Sequence, residues 1–216
     1  MRILLIDHGS CDPPATRVHR HRRGLEAAGV VAAACGPTSV PSLEVATPGL
    51  HGIHLHDIAA ASRPFLAAVR DGSPEAFVAA VAEVPARLLG LVRETARQMI
   101  AEAADALYPD AIFVLHAGIL TDLAVETGAP VVVHVAAADL EAAERRPSLR
   151  RLVTAAIGSS EIVVATDDAV AAALRGAGLG DEADAPGRCE TWAADARCAE
   201  RIAAACGRAL ARRRGE

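Results

Sequence analysis

Not one lysine occurs in the 216 residues, and aromatic side chains make up only 2% of them. Arginine is therefore the whole basic complement of 22 residues, against 27 acids, for a formal net charge of −5. A chain of that sign carries no general basic footprint, so nucleic-acid partners are not expected. Arginine without lysine, in a chain rich in alanine, reads as a coding bias of a GC-rich genome and carries no mechanism. With so few aromatics the core has to be built from layers of Ala, Val and Leu. No stretch reaches the roughly 18 apolar residues that a membrane span needs, and the opening MRILLIDHG turns polar too early for a secretory signal. A cytoplasmic protein is expected. The cysteines, Cys11, Cys35, Cys189, Cys198 and Cys206, are odd in number and show no CxxC spacing. They read as free thiols, and neither a disulfide framework nor a metal site nor any cofactor is expected.

What the chain does have is a strong organising stretch, PDAIFVLHAGILTDLAVETGAPVVVHVAAAD, from Pro109 to Asp139. An apolar run at Ala111 to Leu115, a small-residue helical segment at Ala117 to Thr127, a Gly-Ala-Pro break and a second run at Val131 to Val135 spell a βαβ unit. Neither run alternates, which a strand tolerates only when helices cover both of its faces. The fold class is accordingly α/β, a three-layer sandwich with a Rossmann-like, mostly parallel sheet of about six strands. Ligands of such sheets sit beyond the carboxyl ends of the strands.

The rest of the chain fits that plan. Arg2 to Asp7 is the first strand, Ala15 to Ala28 a helix stopped by Gly29, and Val30 to Ala34 a second strand. In the Pro- and Gly-rich stretch that follows, only Leu43 to Ala46 suggests regularity. Gly52 to Ile58 alternates and predicts a strand with one face partly exposed. Ser62 to Asp71 and Pro74 to Glu83 predict short helices, and Pro85 starts a long one to Leu107 with apolar residues at helical spacing. Beyond Asp139 the charged stretch Glu141 to Arg146 leads into a helix ending at Ile157. Glu161 to Ala165 is the next strand, and Asp167 caps a helix to Arg175. The predicted organisation is a Rossmann-like domain over 1–180, a linker over 181–190, and a helix from Trp192 to Arg212, within 191–216, that packs back on the domain.

Four strand-end loops hold the polar candidates: His8-Gly9-Ser10, His54-Leu55-His56-Asp57, His116, and His134 with Asp139. Substrate binding is assigned to His8, Gly9, Ser10, His116, His134 and Asp139, and no residue is assigned a catalytic role. No carboxylate or thiol except Asp57 stands at ligand spacing beside His8, His54 or His56, so no tight divalent-metal site is predicted.

The order of several segments resembles the N-terminal, acceptor-side Rossmann-like domain of the GT-B retaining glycosyltransferases, the glycogen-synthase-like and mannosyltransferase group. Pro109 to His116 is similar to their PDVIHVHH segment, Gly128 to His134 to GIPVVVT, and Glu161 to Val170 to the following strand and helix. The resemblance implies a glycosyltransferase-like protein that lacks the donor domain and acts with a nucleotide-sugar-binding partner subunit or as half of a split enzyme. Its acceptor would be a small molecule or glycan, and homo-oligomers are an alternative assembly. The chain departs from the pattern where Asp12-Pro13-Pro14-Ala15-Thr16 replaces the Gly-Gly of the first loop and where Ala136 stands in place of a histidine. Those departures favour a second reading, a non-catalytic binding or scaffolding descendant of the fold. A third comes from Leu4 to Pro13, which resembles the start of the sirohydrochlorin metal chelatases, with His54-Leu55-His56-Asp57 similar to their second histidine segment.

Overall fold

The unbroken apolar runs form the centre of one parallel sheet. The protein is represented by a computed structural model that describes residues 1–11, 16–38, 48–179, 189–192 and 198–215. Among the described residues seven strands, β1 (Arg2–Ile6), β2 (Val31–Thr38), β3 (Leu50–His54), β4 (Ala111–Val114), β5 (Val131–Val135), β6 (Ile162–Ala165) and β7 (Cys189–Thr191), lie in the order 3-2-1-4-5-6-7. Every neighbouring pair is parallel.

Helices cover both faces, as strands without alternation require. Leu4, Ile6, Ile112, Val114, Val133 and Val163 face one buried layer. It is closed by α3 (Arg63–Asp71), α4 (Pro74–Glu83), α5 (Ala86–Leu107), α6 (Thr121–Glu126), α7 (Ala137–Arg145), α8 (Pro147–Gly158) and α9 (Asp168–Gly176). Ile3, Leu5, Phe113, Val132 and Val164 face the other layer, under α1 (Arg17–Ala27) and α10 (Cys198–Arg214). The long α5 buries Leu88, Val92, Ala96, Ile100 and Ala103, the predicted stripe. It stops where Tyr108 turns left-handed, at φ 49°, ahead of Pro109. A short α2 (His56–Ala59) completes the set of helices among the described residues.

Strand order reverses beside β1: β2 and β3 lie to one side, and the chain resumes on the other with β4. The crevice at such a switch point is where open α/β sheets hold ligands. His8 and His116 follow the two strands that flank it.

Several elements differ from the sequence reading. The third strand begins at Leu50 and ends at His54, so His56, Asp57 and Ile58 start a helical turn instead of extending the strand. The helix of the organising unit is confined to Thr121–Glu126, and the chain from His116 to Leu120 is a loop. Glu141 to Arg146 is not a connecting stretch: the charges of Ala137–Arg145 sit outside a helix that buries Asp139, Ala142 and Ala143. Cys189–Thr191, read as the end of a linker and the first residue of the C-terminal segment, pairs with β6 as a further strand. Three residues carry no pattern long enough to announce it. The final helix is described over Cys198–Arg214, Trp192 is not helical, and residues 193–197 lie outside the described residues. The Asp12–Ala15 loop, the Leu43–Ala46 segment and Gly180–Gly187 lie outside the described residues.

Candidate functional site

Three imidazoles line the carboxyl end of the sheet in a row. The rings of His8 and His116 lie 6.5 Å apart edge-on, and those of His116 and His134 lie 6.2 Å apart, also edge-on. β1 delivers the first, β4 the second, and the third stands within β5.

Asp139 organises the middle of the row. It is the third residue of α7, and its Oδ2 accepts the N–H of Ala136 at 2.9 Å, the reciprocal half of a capping box. The same oxygen accepts the N–H of Ala117 at 3.1 Å, and Oδ1 lies 2.8 Å from His116 Nδ1. A carboxylate only accepts, so Nδ1 carries the proton of that bond. The Nε2 of His116 is buried without a hydrogen-bond partner among the described residues, the nearest carboxylate oxygen being Glu75 Oε1 at 3.8 Å.

His8 is set the opposite way. Its Nε2 accepts the N–H of Leu120 at 3.2 Å, which leaves the proton on Nδ1, again buried and unpartnered among the described residues. The loop from His116 to Leu120 can come this close because residue 118 is glycine. A Cβ there would stand 2.4 Å from His8 Nε2. Gly9 and Ser10 commit their backbones to the scaffold, Gly9 N–H donating to Asp7 Oδ1 at 3.1 Å and Ser10 N–H to the Gly72 carbonyl at 2.9 Å. Burial alone would raise the Asp7 carboxyl, but Arg17, 3.0 Å away, outweighs it and holds Asp7 below the usual carboxylate range.

His8, His116 and Asp139 are each 1% exposed, and the void that His8 and Asp139 share with Ala117, Gly118 and Ile119 holds about 10 Å³. That is room for about one water and not for a sugar. His134 is different. Its Nδ1–H donates to the Leu115 carbonyl at 3.1 Å, and its Nε2 lies 3.4 Å from Thr166 Oγ1, both on the wall of a groove of about 690 Å³. The groove runs between the starts of α1 and α10, over Phe113 and Leu115. Thus the sequence candidates separate into a buried cluster, His8, His116 and Asp139, and a single groove residue, His134. His54 lies on β3, separated from β1 by β2, and among the described residues no group of three or more His, Cys, Asp or Glu side chains could hold a metal ion.

No protein-family model and no curated protein sequence matches the chain. Solved structures do. A sucrose-phosphate synthase structure from Thermosynechococcus elongatus, designated 27_220_406_426, aligns with a TM-score of 0.58 at 13% identity, over 98% of each chain. An E. coli structure, trehalose-6-phosphate bound with UDP-2-fluoro glucose, aligns with a TM-score of 0.51 at 14% identity. It is covered over 89% of this chain but only 48% of its own. The fold is that of GT-B glycosyltransferases. The chain spans about half the length of the E. coli structure.

The same sheet end carries groups that strand-end reasoning missed. Arg17 and Arg20 come from the first turn of α1, Thr166 from the end of β6, Trp192 from the end of β7, and Arg201 from α10. No helix of the described residues is long and apolar enough to cross a membrane.

The buried imidazoles also set a pH dependence. Burial first, and the neighbouring His116 second, push His8 down to about 4. An unfolded histidine near 6.5 takes up a proton that the folded one refuses, so this contribution is complete above about pH 6.5 and is lost as pH falls toward 4. Linkage puts it at roughly 3 kcal/mol for His8, and the half-buried His134, also lowered, adds with the same sign. Melting temperatures between pH 7.5 and 4.5 are expected to fall steadily, and less steeply in His8→Gln. A flat profile in the parent protein would contradict the burial of His8 in neutral form.

Proposed function

We propose that the chain is the acceptor-side half of a glycosyl-transferring assembly, working with a partner that supplies the donor nucleotide sugar or as one part of a split enzyme. The observation that carries this reading is the coverage: the chain aligns with nearly all of one sugar synthase structure and with only half of a longer one that is bound with UDP-2-fluoro glucose. His134 is the group best placed to meet an acceptor. Burial keeps it neutral, its Nδ1–H is committed to Leu115, and its Nε2 accepts from whatever hydroxyl enters beside Thr166. Positioning supplies much of the rate of group transfer, and one wall of a cleft positions only one reactant. The His116–Asp139 pair holds the loop beneath that wall.

A second reading, a binding module without sugar chemistry, is favoured by the burial of His8, His116 and Asp139, whose hydrogen bonds serve the protein's own backbone. Amide chemical shifts recorded while glucose, mannose, fructose and maltose are added separately at millimolar levels test the acceptor assignment. Shifts at Leu115, His134 and Thr166 are expected for at least one sugar. Shifts elsewhere, or none, would sink it.

A further inference from the structure

We infer that the groove between α1 and α10 is a binding site for a small molecule bearing a phosphomonoester. Its walls hold Arg17, Arg20, Arg201, His21 and His134, and no Asp or Glu among the described lining residues. That is a local reversal of sign in a chain of net charge −5. Arg17 is partly offset by its ion pair with Asp7 at 3.0 Å. Arg20 is exposed and makes no ion pair among the described residues.

The guanidinium fork matches phosphate oxygens with two parallel N–H donors, and Arg20 presents such a fork on the groove wall. The field inside the groove is consistent with this. Burial pushes His21 down to about 4, and Arg17, Asp7 and Arg20 act on it in that order, the arginines opposing its protonation and Asp7 favouring it.

The remaining wall fits the uncharged body of such a ligand. Phe113, Leu115, Trp192 and Ile202 are apolar, and the Trp192 ring stacks on Phe113 at 5.9 Å with a 17° tilt, which fixes the indole at the groove's edge. At about 690 Å³ the space falls within the range of small-molecule pockets. The two helices meet at Gly24, where an added Cβ would stand 3.0 Å from Ala199 Cβ. The inference needs neither sugar transfer nor a partner subunit.

Trp192 is the chain's single tryptophan, so its fluorescence reports on this groove alone. Titration of the purified chain with ribose 5-phosphate is expected to give a saturable change below about 10 mM. Ribose should give none. Inorganic phosphate should bind more weakly, and ribose 5-phosphate affinity should fall as salt is raised. Arg20→Gln, with an unchanged circular dichroism spectrum, should weaken ribose 5-phosphate by about 10-fold. No saturable response to ribose 5-phosphate in fluorescence and in calorimetry would overturn the proposal. So would equal binding of ribose, equal binding of inorganic phosphate, or undiminished affinity in folded Arg20→Gln. Neither a nucleotide sugar nor a second subunit enters the assay, so its failure is separate from failure of the acceptor-side reading.

Discussion

Val133→Asp is expected to leave no folded protein. Val133 is fully buried in β5, paired with Val114 of β4 and Val163 of β6, in the apolar layer closed by the larger set of helices. The substitution removes apolar contacts and places a carboxylate where no cation stands, in a layer of aliphatic side chains. An unpaired charge in such a place costs several kcal/mol, about 5 kcal/mol or more once the lost packing is added. The whole stability of a domain is of order 5–15 kcal/mol. Chemical denaturation of a soluble Val133→Asp protein with an unchanged midpoint would show that β5 is not central.

Asp139→Ala comes next in size. It strands three donors at once, His116 Nδ1–H and the backbone N–H groups of Ala117 and Ala136. Each buried donor left unmade costs roughly 1–3 kcal/mol. A total near 4 kcal/mol corresponds to a fall of about 10 °C in melting temperature for a chain of this size. Asp139→Asn keeps one acceptor oxygen and should lose about half as much. Nitrogen chemical shifts of the His116 ring give an independent reading, since the proton is held on Nδ1 only by the carboxylate. An Asp139→Ala protein with unchanged stability and unchanged His116 shifts would remove Asp139 from its organising role.

The sheet was legible because its strands are unbroken apolar runs: Ala111 to Leu115 and Val131 to Val135 became β4 and β5 within a residue. The strand-end rule likewise found His8, His116, His134 and Asp139, which do converge at one end of the sheet. It could not tell which of them are buried, because burial there depends on a loop that packs against His8 through Gly118 and the N–H of Leu120. Nor could it find the groove, since Arg20 and Arg201 stand on helices far apart in sequence that become neighbours only when α10 docks beside α1. The helix α7 was hidden by its charges, which look like a loop until Asp139, Ala142 and Ala143 turn inward together.

The acceptor-side reading makes one demand on the purified chain above all others. Incubated alone with UDP-, GDP- and ADP-linked hexoses and the same sugars as acceptors, it should consume none of them. On that reading activity should arise only when a donor-binding subunit is supplied, since one wall of a cleft positions one reactant and does not exclude water from a transfer. The deciding measurement is nucleotide release by the isolated chain, with its mass followed by light scattering in the same sample. The account predicts no release. Steady release at the mass of a single chain would contradict it, because donor and acceptor would then both be held by these 216 residues.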